Sequence, residues 1–98
     1  MARKIIIHKE CQDKILALID YIGEEFGAKA AVDFAVEIEV RTNRLIEFPE
    51  IGRKSEKAEN VRMIRIGKYT SLFYSFNKTR IELLHLFDQR QHPDKSKY

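Results

Sequence analysis

The chain has 98 residues, of which 44% are hydrophobic and 34% are charged, with one cysteine and a net charge of +3. This length suits one domain that buries its own core, so neither a disulfide nor a metal is needed to stabilise it. Cys11 has no second cysteine to pair with, which excludes an internal disulfide and a metal site built on cysteine pairs. The N-terminal apolar run Ile5–Ile7 is too short for a signal peptide, and no stretch reaches the length of a membrane span. A reducing cytoplasm is the expected location.

The charge is distributed unevenly along the chain. Residues 1–49 contain 7 Lys and Arg against 9 Asp and Glu, and residues 50–98 contain 11 against 6, so the two halves carry −2 and +5. A basic half favours a surface that meets phosphate or an acidic protein partner, although surplus lysines also occur on purely solvated faces.

The first predicted elements are a strand and a helix. Lys4–His8 contains three consecutive isoleucines, which favour a strand with apolar neighbours on both faces and a central or near-central position in a sheet. From Glu10 to Phe26 apolar residues recur every three or four positions, which indicates an amphipathic helix. Gly27 then predicts the helix end, since glycine readily adopts the left-handed conformation.

A second amphipathic helix is predicted from Ala28 to Phe48, with Pro49 as its stop. The short link through Gly27 requires the two helices to form an antiparallel hairpin. The apolar stripe of each helix must be buried, which predicts that both helices pack against a sheet.

Three strands are predicted to supply that sheet: Val61–Ile66, Thr70–Phe76 and Arg80–Asp88. The joins between them are short enough for antiparallel hairpins. The segment 49–60 is interpreted as a polar loop. The predicted fold class is therefore α+β, one domain over residues 1–98 with the order β-α-α-β-β-β.

Alternation along the last strand predicts which residues are buried. Ile81, Leu83, His85 and Phe87 should share one face, and His85 is interpreted as a partly buried histidine. Tyr69 and Tyr74 are predicted to pack on the sheet, with stacking on nucleic-acid bases as the alternative. The predicted core comprises Ile19, Ile22, Ile38, Leu83 and either Phe73 or Leu72.

Polar side chains cluster where the last predicted strand ends, from Asp88 to Asp94. Arg90 could cap the sheet by pairing with Asp88 or Asp94. His92 precedes Pro93, which restricts its backbone to an extended setting, and its imidazole could exchange a proton near neutral pH. A loop histidine without function is the alternative.

Three segments give the chain a specific resemblance: "FPEIGR" at Phe48–Arg53, "VRMIRIGKYTSLFY" at Val61–Tyr74 and "IELLHLFDQRQHP" at Ile81–Pro93. In this order and spacing the chain resembles the RelE/ParE superfamily of toxins from bacterial type II toxin–antitoxin modules, which stabilise plasmids and inhibit growth. The resemblance implies a helical hairpin on one face of a twisted, mainly antiparallel sheet and a basic concave surface on the other. It also implies a cognate antitoxin that wraps the toxin, no cofactor, and either a homodimer or a toxin–antitoxin hetero-oligomer.

Toxins of this superfamily share one fold but act by two different mechanisms. RelE-like members cleave mRNA on the ribosome without a metal, and ParE-like members poison DNA gyrase. RNA cleavage uses the 2′-hydroxyl of the substrate as nucleophile and needs proton-transfer groups and cations. Arg90 matches an arginine that RelE-like nucleases use at the phosphate. If the chain is a nuclease, Arg90, His92 and Arg65 are the candidate catalytic residues, and replacing Arg90 should hardly change folding.

Under either mechanism Arg62, Arg65, Lys68 and Arg90 are the candidate contacts to nucleic acid or to a partner. One departure from the nuclease pattern is clear, because Ser71 stands where RelE-like nucleases carry an arginine, three residues before Tyr74. The prediction therefore leans towards a ParE-like toxin. A RelE-like nuclease and a catalytically inactive binding module are the alternatives.

Overall fold

The computed structural model describes residues 2–90. Its elements in chain order are β1 (Lys4–Ile7), α1 (Lys9–Phe26), α2 (Ala28–Glu47), β2 (Arg53–Lys54), β3 (Arg62–Ile66), β4 (Thr70–Phe76) and β5 (Arg80–Asp88). The predicted α+β class and the order of the larger elements are confirmed. The two-residue strand β2 lies in the segment that was predicted to be a loop, because two consecutive basic residues show no alternation that could mark a strand.

The strands form one sheet in the order β1-β5-β4-β3-β2, with β1 parallel to β5 and the other neighbours antiparallel. The prediction of a central position for β1 was wrong, since β1 lies at the edge of the sheet. Ile6 and Ile7 are 39% and 43% exposed. Consecutive isoleucines favour a strand but do not decide how many neighbours it has.

The predicted helical hairpin is confirmed, and Gly27 joins its two helices. Gly27 has a φ of +98° and a ψ of 164°, so it lies in a positive-φ region suited to glycine but outside the left-handed helical region. The helices pack closely near this link, where a Cβ added to Gly23 would lie 3.6 Å from the Cβ of Ala31.

The core lies between the hairpin and the sheet. Ile22, Ile38, Leu72 and Leu83 are buried, as predicted, whereas Ile19 is only half-buried. The members that are no more than 2% exposed are Cys11, Leu18, Leu45, Ile66, Leu72, Tyr74, Ile81 and Leu83. Burial raises the pKa of the Cys11 thiol to about 11, with a smaller contribution from Glu10, so this thiol is protonated at neutral pH.

A β-bulge changes the alternation of β5. Tyr74 pairs with Leu83 and Phe73 pairs with His85, so Leu84 has no partner on β4. Leu83 and Leu86 therefore share the face covered by the helices, and His85 lies on the opposite face with Phe73. The prediction that His85 shares a face with Leu83 was wrong for this reason. His85 is nevertheless buried, and its Nδ1 lies 3.3 Å from Oε1 of Glu10.

Within residues 2–90, neither helix has an apolar stretch of the length and character needed to cross a membrane.

Candidate functional site

Asp88 and Arg90 form an ion pair at the end of β5. Nε and Nη2 of Arg90 donate to Oδ1 and Oδ2 of Asp88 at 3.1 and 2.9 Å, and the backbone N–H of Arg90 also donates to Oδ1 at 2.9 Å. The hydroxyl of Thr70 donates to Oδ2 at 2.7 Å. The side chain of Asp88 is only 2% exposed, so its charge is compensated almost entirely by these partners.

These contacts set the protonation states of both residues. Burial pushes the pKa of Asp88 upward, but the hydrogen bonds from Arg90 and Thr70 outweigh it and hold that pKa below its ordinary value. The hydrogen bonds to Asp88 raise the pKa of Arg90. Both groups are therefore charged at neutral pH.

Three aromatic rings surround the guanidinium of Arg90. Its Cζ lies 4.9 Å from the ring centroid of Tyr69, 5.8 Å from that of Phe26 and 6.0 Å from that of Tyr21. Such contacts hold a planar cation by electrostatic attraction to the ring faces. The side chain is 23% exposed, so Arg90 is anchored in the fold, and its replacement is expected to disturb folding, contrary to the sequence-based expectation.

An apolar groove of about 570 Å³ opens beside this cage, between the helical hairpin and the β3–β4 turn. We call it the aromatic groove; its lining residues are Ile22, Phe26, Ala30, Phe34, Ile66, Gly67, Lys68, Tyr69, Thr70 and Arg90. Phe26 is 58% exposed and Tyr69 is 44% exposed. Exposed aromatic side chains beside a concave apolar surface are typical of a protein-binding site.

The predicted contact residues are only partly brought together. Lys68 and Arg90 both line the aromatic groove. Arg65 lies on β3 with its Nη2 donating to the backbone carbonyl of Lys68 at 2.6 Å. Arg62 lies away from the groove, where its Nη1 donates to the carbonyls of Glu50 and Gly52 at 3.1 and 2.8 Å.

The "FPEIGR" segment is held by Tyr74 in addition to Arg62. The Tyr74 hydroxyl donates to the carbonyl of Pro49 at 2.7 Å and accepts from the backbone N–H of Gly52 at 2.9 Å. A Cβ at position 52 would lie 2.5 Å from that hydroxyl oxygen, so only glycine fits there without movement. The segment therefore orders the chain between α2 and β2.

Two residues named from the sequence remain: His92, the candidate proton-transfer residue, and Ser71, which stands where RelE-like nucleases carry an arginine. His92 lies outside the described residues. Ser71 is half-buried on β4, opposite Arg65 on β3. Among residues 2–90 there is no group of three or more His, Cys, Asp or Glu side chains that could hold a metal ion.

Sequence reasoning missed the aromatic part of the site. Phe26 was interpreted as one member of a core stripe, and Tyr69 as a residue packed on the sheet. The usable signal was the position of Phe26, a large apolar residue at the last position of a helix.

Comparison with known proteins places the chain in a family. A family model described as "ParE toxin of type II toxin-antitoxin system, parDE" matches residues 5–93. A solved structure described as "Chromosomal ParDE TA system from P. aeruginosa" matches with a TM-score of 0.74 and 17% identity, covering 88% of this chain and 95% of that chain, which shows a shared fold. A search of curated protein sequences found no match. Because the family model spans most of its length, the chain belongs to the ParE toxin family of type II toxin–antitoxin systems.

Proposed function

We propose that the protein is a growth-inhibiting toxin that acts on DNA gyrase and is neutralised by a cognate antitoxin bound in the aromatic groove. The membership of the ParE toxin family supports the toxin role. The choice of target and the place of the antitoxin rest on the geometry around Arg90.

The ion pair of Arg90 with Asp88 is the observation that carries the choice of gyrase over RNA. A nuclease of the RelE type needs a cation that neutralises charge developing at the scissile phosphate. The guanidinium of Arg90 already binds a carboxylate that is 2% exposed. A phosphate that took Arg90 away would leave that buried carboxylate uncompensated, which is strongly unfavourable.

The other candidate cation supports the same choice. Arg65 donates to a backbone carbonyl, and its neighbour across the sheet is Ser71, a neutral side chain where the nucleases carry an arginine. Arg65 is one of four arginines that line a cleft beside β3, and no histidine or acidic side chain lines that cleft. Cations without a positioned base or acid are insufficient for RNA cleavage.

We therefore expect induced expression of the protein to arrest growth, and the purified protein to inhibit DNA supercoiling by gyrase. We also expect that ribosomes programmed with mRNA show no new cleavage sites on addition of the protein. The control is the same gyrase reaction with the antitoxin added first, which should restore supercoiling. Cleaved mRNA together with fully active gyrase would favour the nuclease alternative, and normal growth would favour the inactive binding module.

The aromatic groove suits the antitoxin because it combines an apolar floor with exposed rings and a positive rim. Ile22, Ala30 and Phe34 provide the apolar floor, and Lys68 provides an exposed charge at the rim. An amphipathic segment with apolar anchors and acidic flanks complements both features.

Replacing Phe26 and Tyr69 together by alanine should raise the Kd for the antitoxin by about 30-fold or more, since buried aromatic anchors dominate such interfaces. Isothermal titration calorimetry measures this change. Val36→Ala is the matched control, because Val36 is 55% exposed on α2 but does not line the groove.

Tyr69 also contacts Arg90, so a thermal melt of each variant must show that it is folded, and Phe26→Ala alone serves as the second variant. If Val36→Ala weakened binding as much as the groove variants, the antitoxin would not dock in this groove.

A further inference from the structure

The edge strand β1 exposes apolar side chains on both faces of the sheet. Its only neighbouring strand among residues 2–90 is β5, to which it runs parallel. The partners of Ile5 and Ile7 on β5 belong to the core, so these two side chains face the helices, whereas Ile6 faces the other side of the sheet. Ile6 is 39% exposed and Ile7 is 43% exposed. The helical hairpin therefore does not cover this edge completely, and the opposite face is open as well.

The open side of β1 also presents backbone hydrogen-bonding groups. The N–H groups of Lys4 and His8 donate to backbone carbonyls on the β5 side, both at 3.0 Å. Successive residues of a parallel strand direct their N–H and C=O groups alternately to the two sides of the strand. Ile5 and Ile7 therefore direct theirs away from β5, where no strand among residues 2–90 pairs with them.

Sheet edges of soluble proteins are usually protected against pairing with another chain. The common devices are a very short strand, charged side chains, a proline or a bulge. The opposite edge strand, β2, follows this rule with two exposed basic residues. The centre of β1 has none of these devices, because it consists of three consecutive isoleucines in regular register with β5. Such an apolar edge favours pairing with a further strand.

The β1 segment is complementary to a second copy of itself. When two β1 strands run antiparallel with the two-fold axis at Ile6, this residue lies opposite its own copy, and Ile5 of each chain lies opposite Ile7 of the other. All the isoleucines are then paired, and positions 5 and 7 meet as a hydrogen-bonded pair. An axis at Ile5 would place Ile6 opposite Lys4, and an axis at Ile7 would place Ile6 opposite His8. A shift by one residue would pair side chains of opposite faces.

The polar residues at the ends of the segment fit the same register. It places Lys4 of one copy opposite His8 of the other. The Nε2 atom of His8 lies 2.9 Å from Oε1 of Glu82, and this hydrogen bond lowers the pKa of Glu82, which is therefore ionised at neutral pH. Arg80, the neighbour of Lys4 on β5, pairs with the same carboxylate at 3.6 Å. The ammonium of Lys4 thus meets a side chain that is bound to a carboxylate, and the two-fold axis produces this contact twice.

We propose that β1 is the interface of a symmetric homodimer, in which the β1 strands of two copies pair antiparallel about Ile6 and join their two five-stranded sheets into one. The same surface is used on both copies, so the assembly closes at two chains. A pairing of four residues is small compared with the roughly 1,200–2,000 Å² of a stable interface, so the dimer exchanges with the monomer. Residues 4–7 do not line the aromatic groove, and the proposal does not depend on the target or on the place of the antitoxin.

Sedimentation velocity of the full-length protein over a concentration series tests the proposal. We expect a monomer–dimer equilibrium with a Kd in the micromolar range. Ile6→Lys should raise this Kd by about tenfold or more, because it removes the central apolar pair and places two ammonium groups opposite each other. Ile6 faces away from the core between the helices and the sheet, so the variant should keep its fold, which a thermal melt checks.

Val40→Lys is the matched control. It introduces the same charge at an apolar residue of α2 that is 47% exposed and lies outside β1. We expect it to change the Kd for dimerisation by less than about twofold. A wild-type protein that stayed monomeric up to about 1 mM would overturn the proposal, as would equal weakening of the dimer by the two lysine variants.

Cysteine cross-linking tests the register independently. The copies of Ile6 would form a non-hydrogen-bonded pair with Cα atoms about 4.5 Å apart, which a disulfide can span. Ile6→Cys should therefore form a covalent dimer when diamide is added as the oxidant, seen on a non-reducing gel. Val40→Cys and Lys4→Cys should react at least about tenfold more slowly, since neither position meets its own copy. The native Cys11 is 0% exposed with a pKa of about 11, so it should stay reduced. Equal rates at the three positions would indicate random collision and contradict the register.

The antitoxin is the competing occupant of this edge. Exchange of the Ile5 and Ile7 N–H groups should slow as the concentration of the protein alone rises through the Kd, because strand pairing protects them. Exchange that did not change with concentration would contradict dimerisation through β1. If these groups were protected only in the toxin–antitoxin complex, and Ile6→Lys weakened antitoxin binding, the edge would bind the antitoxin and the proposal would be wrong.

Discussion

Leu83→Ala should lower the free energy of unfolding by about 2–5 kcal/mol. Leu83 is 1% exposed on β5 and belongs to the cluster between the sheet and the helices, next to Tyr74 on the neighbouring strand. Truncation removes the apolar contacts and leaves a cavity, because side chains held by two layers of structure cannot collapse into the space. Urea denaturation followed by circular dichroism measures the change.

The adjacent Leu84 provides a matched control on the same strand. Leu84 is half-buried at the bulge and has no partner on β4. We expect Leu84→Ala to cost less than about 1.5 kcal/mol, since a half-buried leucine loses less apolar area. If the two substitutions had equal effects, Leu84 would be as deeply buried as Leu83, contrary to the structure.

The helices and the longer strands could be predicted because their residues show clear local periods. The three- and four-residue spacing from Glu10 to Phe26 reproduces α1 within one residue of its observed start, and the predicted strands Thr70–Phe76 and Arg80–Asp88 have the observed bounds. Such patterns report on the burial of one face, which is a local property of the chain.

Properties that depend on neighbours in space could not be predicted in the same way. The run of isoleucines in β1 is compatible with a central or an edge strand, and only the sheet order decides. The bulge at Leu84 interrupts an alternation that the sequence continues without a break, so the facing of His85 was predicted incorrectly. A bulge adds one residue on one strand without requiring a glycine, so it leaves no obvious signal.

In the candidate site, too, some residues could be named from the sequence and others are brought together only by tertiary packing. Arg90 was singled out because it matches an arginine that RelE-like nucleases use at the phosphate, and its pairing with Asp88 or Asp94 was the alternative. The rings that surround it come from α1 and from the β3–β4 turn, far from Arg90 in sequence. The cleft lined by Arg41, Arg44, Arg53 and Arg65 likewise combines residues of α2, β2 and β3. Tertiary packing creates both surfaces, and no spacing in the sequence reports it.

Asp88→Ala should lower the free energy of unfolding by about 3 kcal/mol at neutral pH, near the lower end of the range for breaking a buried ion pair. The substitution leaves the guanidinium of Arg90 without its carboxylate and the buried hydroxyl of Thr70 without its acceptor. Arg90 keeps some contact with water at 23% exposure, which limits the cost. Asp88→Asn should cost less, because the amide oxygen can still accept from Thr70. Asp13→Ala, which removes an exposed pair with Lys9, is the control and should change stability by less than about 0.5 kcal/mol.

The dependence on pH distinguishes a charged pair from simple packing at this position. The pKa of Asp88 in the folded protein lies below its ordinary value, so the unfolded chain binds a proton at Asp88 more readily than the folded protein does. The stability contributed by the ionised carboxylate is therefore fully present above the ordinary pKa and is lost as the pH falls through the folded-state value. We expect the difference in unfolding free energy between wild type and Asp88→Asn to be constant near neutral pH and to shrink below about pH 4. Urea denaturation at a series of pH values measures this difference, and a difference that stayed the same down to the acid limit of folding would show that the charge of Asp88 does not stabilise the site.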